Sequence, residues 1–149
     1  MKHLKTMVLS SLVAGSLALS VSSFSKEVVP LDLPPVQDQN GISFLSGGIG
    51  QPEISSMRHV AKDYDLTLTF ADVGGHFLAG VKVIISDGYG NVVLDVSSNP
   101  ILSTRLPSGV YKVVATICDE TIAKKTPVII GRPHQVIFTW PRSVCSETE

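Results

Sequence analysis

The sequence predicts a mainly β protein: one seven-stranded β-sandwich preceded by a single short α-helix. Two observations carry this. From Tyr64 to Trp140 apolar residues alternate with polar ones, the period of two that sends one row of side chains into a core and the other into water. The alternating runs are short, and clusters of Gly, Pro, Asn and Asp punctuate them at near-regular intervals. The chain has 149 residues, enough for one domain with a sizeable core.

The helix is expected first. Ser46-Gly47-Gly48-Ile49-Gly50 reads as a flexible glycine turn, and Pro52 suits an early helical position because its missing N–H would be unpaired there anyway. Glu53 complements the positive helix start. Ile54, Met57, Val60 and Ala61 recur at three- to four-residue spacing and form one apolar face. That face is expected to pack on the sandwich or to cover an open edge.

Seven strands follow. Leu66, Leu68 and Phe70 make the first inner row, and Gly74-Gly75 turns the chain. Val81, Val83 and Ile85 make the second. Asp87-Gly88-Tyr89-Gly90-Asn91 signals a hairpin, because Gly and Asn tolerate the positive φ that tight turns need. Val92, Leu94 and Val96 are expected inward on the return. Asn99-Pro100 ends that strand, and Leu102 to Leu106 forms a short one. Tyr111, Val113, Ala115 and Ile117 alternate most clearly. Asp119-Glu120 turns into Thr126 to Ile130, and Gly131-Arg132-Pro133 into Val136, Phe138 and Trp140. By strand parity Tyr111 and Trp140 point into the core. This is the strand inventory of an immunoglobulin-like or transthyretin-like sandwich.

The ends read differently. Lys2 and Lys5 form a basic region, Met7 to Val21 an apolar one diluted by Ser and Gly, and small serines follow, so residues 1–25 read as a cleavable signal peptide. The apolar run is short for a membrane span, so no span is expected after cleavage. Residues 26–45, with Pro30, Pro34 and Pro35, read as an extended leader, although Ile42 to Leu45 suits a short strand. The glycine turn and helix occupy 46–64, the sandwich 65–141 and a tail 142–149. Without Lys2 and Lys5, ten basic residues face thirteen acidic ones, a net charge of −3 that disfavours nucleic acid. Cys118 and Cys145 are the only cysteines; an even count in an exported chain points to a disulfide, with two free thiols as the alternative. Pairing would close a loop of roughly 28 residues.

Three segments resemble the carboxypeptidase regulatory-like domain, a transthyretin-like (prealbumin-like) sandwich. They are Leu78-Ala79-Gly80-Val81-Lys82-Val83, then Ser86-Asp87 followed by Gly90-Asn91-Val92-Val93, then Leu106-Pro107-Ser108-Gly109-Val110-Tyr111-Lys112-Val113, with the sheet closing on Phe138 and Trp140. Ser108 departs from the usual motif. The front part, with Tyr64-Asp65-Leu66, is similar to small exported bacterial proteins that carry this domain alone. In large carboxypeptidases the domain accompanies a catalytic zinc domain and has no catalysis of its own. The resemblance therefore implies a fold and a periplasmic accessory role, and no cofactor.

The chemistry-bearing residues agree with that expectation. His59, His76 and His134 lack the paired spacing of a metallopeptidase, so no metal is expected. Two cysteines alone do not make a structural zinc site. Ser46 lacks the glycine spacing of a nucleophile elbow. Gly47 and Gly48 precede a helix, where N–H groups can hold an anion, although Glu53 already brings negative charge there. Asp87–Asn91 lacks the ligand pattern of a calcium loop. Phe77 and Tyr89, in glycine turns, are the candidate exposed anchors. The leading expectation is a non-enzymatic module that binds an envelope protein or a small ligand through a sandwich end or by strand addition at an edge. The alternatives are a stability factor for an envelope complex, tethered by the leader, and a small hydrolase using Ser46, His59 or His76.

Overall fold

A computed structural model describes residues 31–145 together with Gly15, Ala18 and Ser20. The expected signal peptide over 1–25, apart from those three residues, and the last four residues of the tail lie outside the described residues.

Among the described residues the architecture is mainly β, in two facing sheets with one short α-helix. The first sheet has the order β1-β2-β6-β3-β9, with β1 Gln37–Gln39, β2 Ile42–Gly47, β3 Leu66–Asp72, β6 Ile101–Thr104 and β9 His134–Trp140. The second has the order β5-β4-β7-β8, with β4 Val81–Ser86, β5 Val92–Ser98, β7 Gly109–Ile117 and β8 Glu120–Val128. Helix α1 spans Gln51–Val60 and runs on into a 3₁₀ turn, Ala61–Asp63.

Among the described residues nine strands therefore replace the expected seven. All seven are present, and β1 and β2 are added from the stretch read as leader and glycine turn. The cause is local: Asn40 and Gly41 both take positive φ, 53° and 76°, and turn a two-residue hairpin between them. Ser46 and Gly47 finish β2 rather than start a loop. The strand expected over Leu102 to Leu106 begins and ends earlier, and β8 begins at Glu120 because the β7–β8 turn falls on Cys118-Asp119, both at positive φ.

The core lies between the sheets. Leu68 and Phe70 of β3, Val83 and Ile85 of β4, Val113 of β7 and Phe138 and Trp140 of β9 are all buried in it. Fully burying a side chain of this size stabilises by about 1.5–3 kcal/mol. Tyr111 and Trp140 point inward as parity requires. The Tyr111 hydroxyl donates to the Pro107 carbonyl at 2.6 Å. Burial, then the Asp87 and Asp65 carboxylates, push this phenol above its ordinary value and keep it a donor. Val92 departs from its expected inward position. The ladder shifts register between Ile85 and Ser86, Val93 becomes the extra residue, and Val92 is left half-exposed.

Strand β3 is buried on both faces. Beside it α1 packs over β2 and β6: Ile54, Met57 and Val60 form a second cluster with Leu45, Tyr64 and Ile101. The helix lies on a sheet face, the first of the two sequence expectations. Its apolar row meets polar residues of the sheet that are already satisfied: Thr67 and Ser103 bond each other at 2.9 Å beneath it.

The two sheets are tied along both sides. On one side the Gln39 carboxamide bonds both the N–H (2.6 Å) and the C=O (3.1 Å) of Asp95, as a neighbouring strand would. On the other, the Trp140 indole donates to the Glu120 carbonyl and Lys124 Nζ to the Ile137 carbonyl. A Cys118–Cys145 disulfide joins the β7–β8 turn to the chain beyond β9, with Cα atoms 5.4 Å apart.

Two stability effects are expected in urea titrations. Met57→Ala removes a side chain fully buried under α1 and lowers stability by about 2–5 kcal/mol. Cys118→Ser with Cys145→Ser opens the covalent loop and lowers it by about 3–4 kcal/mol. A loss below about 1 kcal/mol for Met57→Ala would contradict the packing of α1 on the sheet.

Candidate functional site

The two ends of the sandwich carry the candidate residues. Phe77 precedes β4 and Tyr89 follows it, so they stand about 20 Å apart along a six-residue strand.

At the Phe77 end a groove of about 320 Å³ runs between α1 and the β3–β9 pair. It exists because α1 covers only part of the outer face of the first sheet, leaving Ile137 on β9 58 % exposed. Met57, Phe77, Ile101 and Ile137 supply its apolar walls, and Thr69 and Gln135 its polar groups. Phe77 is held by a bridge to Ala71 and by the Arg58 guanidinium, 5.9 Å from its ring centre. It is half-buried against the α1 cluster, a groove wall rather than a free anchor.

The adjoining turn is built on Asp72. Its Oδ1 accepts the N–H groups of Gly74 (2.8 Å) and His76 (3.0 Å), and the His76 Nδ1 lies 3.0 Å from Oδ2. Partial burial pushes this carboxyl up, but the His76 N–H, the His76 imidazole and the Gly74 N–H outweigh it and hold it below the ordinary range.

Gly47 and Gly48 sit at the same end. The Glu53 carboxylate turns back and accepts the N–H of Gly48 at 2.7 Å and of Ile49 at 3.2 Å. The anion position foreseen at this helix start is filled by the protein's own side chain.

At the other end Tyr89 is 94 % exposed on the tip of the β4–β5 hairpin. Asp87 fixes the hairpin by accepting the N–H groups of Tyr89 and Asn91. The Asn91 N–H is the strongest influence lowering this carboxyl; partial desolvation opposes it, and the Tyr89 N–H and Asn91 amide add to it. A cleft of about 530 Å³ opens beside the hairpin.

The residues a hydrolase would need are not brought together by hydrogen bonds. Ser46 Oγ is buried against Ser98 Oγ and accepts the Asn99 N–H. His59 is exposed on the last turn of α1, and His76 bonds Asp72. None of the three lines either cleft. Among the described residues no group of three or more His, Cys, Asp or Glu is placed to hold a metal ion, and no helix is long and apolar enough to cross a membrane. Sequence reasoning missed the groove. Its signal was Gln135 and Ile137, an outward row on β9 facing the helix that the sequence itself predicts.

Fold and site together define a two-sheet, mainly β protein with a helix and a groove on one face and a cleft beside the β4–β5 hairpin. The chain matches no protein-family model, and no curated protein matches it.

Asp72 and Asp87 give the fold an acid limit. Both carboxyls are lowered in the folded chain and return to about 3.9 on unfolding. Their contribution is complete above that value and is lost as pH falls through the lower folded values. Thermal midpoints are expected to drop below about pH 4, with a shallower drop in Asp72→Asn/Asp87→Asn. An equally steep drop in the double variant would assign the acid sensitivity elsewhere.

Proposed function

We propose that this is an exported, non-enzymatic module of the carboxypeptidase regulatory-like kind that binds a protein of the bacterial cell envelope through the groove between α1 and β9. The observation that carries the reading is the partly covered outer face of the first sheet. A groove with apolar walls and a few polar groups suits an apolar side chain of a partner, and Arg58 at its rim suits a neighbouring carboxylate.

The edges favour this groove over strand addition. Gln39 occupies the β5 edge, and Lys124 takes a carbonyl of β9. β8 carries Pro127 and two lysines, and β1 has only three residues. These are the devices that keep sheet edges from pairing with other chains. The disulfide is compatible with export to the periplasm. The Tyr111–Pro107 bond resembles the tyrosine corner of immunoglobulin-like sandwiches, which supports the sandwich type.

The test is in-cell photo-crosslinking from position 135, on the polar wall, with mass spectrometry of the envelope fraction. One dominant protein adduct is expected. Ile137→Ser, a surface change that costs little stability, and Phe77→Ala should each reduce it at least tenfold. Equal yields from wild type and both variants would refute the groove as the contact.

A further inference from the structure

The geometry points to a second site, at the end of the sandwich away from the groove and independent of it: the cleft beside the Asp87–Asn91 hairpin binds an anionic group, a carboxylate or a phosphate, between Lys112 and Lys125. These two lysines are direct register partners on β7 and β8, so their side chains leave the same face of the second sheet side by side. Both are exposed and both line the cleft. Among the described residues neither ammonium group forms a hydrogen bond or an ion pair, whereas that of Lys124, one position away, is engaged with the Ile137 carbonyl and the Phe138 ring. Two like charges placed directly opposite repel, and no carboxylate forms an ion pair with either lysine among the described residues. An anion between them removes it and accepts from both ammonium groups.

The rest of the cleft fits a ligand larger than a bare ion. Its volume of about 530 Å³ lies in the range of small-molecule sites. Gly88 and Gly90 keep one wall low: a Cβ at Gly90 would meet nothing within 4 Å, and one at Gly88 only the Val110 carbonyl at 3.7 Å. Val110 offers an exposed apolar surface, and Tyr89 stands free beside the opening for a ring to stack on. Asp87 is the one carboxylate in the lining. Its Oδ1 is occupied by the Tyr89 and Asn91 N–H groups and its Oδ2 faces the Asn91 amide, so its oxygens are engaged by the turn.

The experiment is an amide NMR titration of the mature, oxidised protein with sodium phosphate and, separately, sodium acetate, at constant ionic strength. Saturable shifts are expected at Ser86 to Gly90, Val110 to Lys112 and Lys125. The response should weaken at least tenfold in Lys112→Gln/Lys125→Gln and remain unchanged in Lys82→Gln, a lysine on the same strand system outside the cleft. The stronger of the two anions identifies the phosphoryl or the carboxylate source. Shifts spread over all lysines without saturation, no response to either anion, or an equal response in the double variant would overturn the proposal.

Discussion

The structure depends on the parallel pairing of β3 with β9. Leu66 faces His134 and Asp72 faces Trp140, seven register pairs joining segments 68 positions apart. A parallel pair needs a long connection, and here the connection is most of the sandwich. The pairing places Phe138 and Trp140 against Phe70, with ring centroids 5.6 and 6.2 Å away, and so completes the core. It also widens the first sheet beyond what α1 covers. The groove is a product of that difference in width.

With β9 in place, the two sheets close on each other through side chains rather than through a continuous ladder. Trp140 contributes twice, by burial and by its indole bond to β8. Lys124 crosses from β8 to a β9 carbonyl and lies over the Phe138 ring. The disulfide adds a covalent tie at the same side. On the far side Gln39 stands in for a strand. A sandwich closed in this way leaves its ends and its outer faces open.

Much of the second sheet was legible because its strands are amphipathic: Tyr111, Val113, Ala115 and Ile117 face a single core and the alternation is clean. β1 and β2 were obscured by composition. Prolines ahead of them and glycines behind them read as connection, while the hairpin signal between them is confined to the two residues Asn40-Gly41. Both faces of β2 and β3 are buried in part, under the helix and in the core, which weakens alternation as a guide. Val92 shows the other limit: a one-residue bulge reverses facing, and no period reveals it.

The candidate sites were legible in a different measure. Tyr89 was readable because a tyrosine between two glycines at a hairpin tip has nowhere to be buried. Phe77 looked alike in sequence but is drawn against α1, a contact between elements that no local pattern encodes. The Lys112–Lys125 pair depends on a register fixed by the Cys118-Asp119 turn, one residue earlier than the turn expected from sequence. Sites on loops follow from residue type; sites across strands follow from register.

Hydrogen exchange of the backbone amides in the oxidised protein tests the central claim most directly. If β3–β9 pairing holds the fold together, the protected amides of β9 exchange only through the same global opening as those of β3 and β7, with one common free energy and one denaturant dependence. Exchange of β9 through a separate, lower-energy opening, while β3 and the second sheet stay protected, would contradict the account.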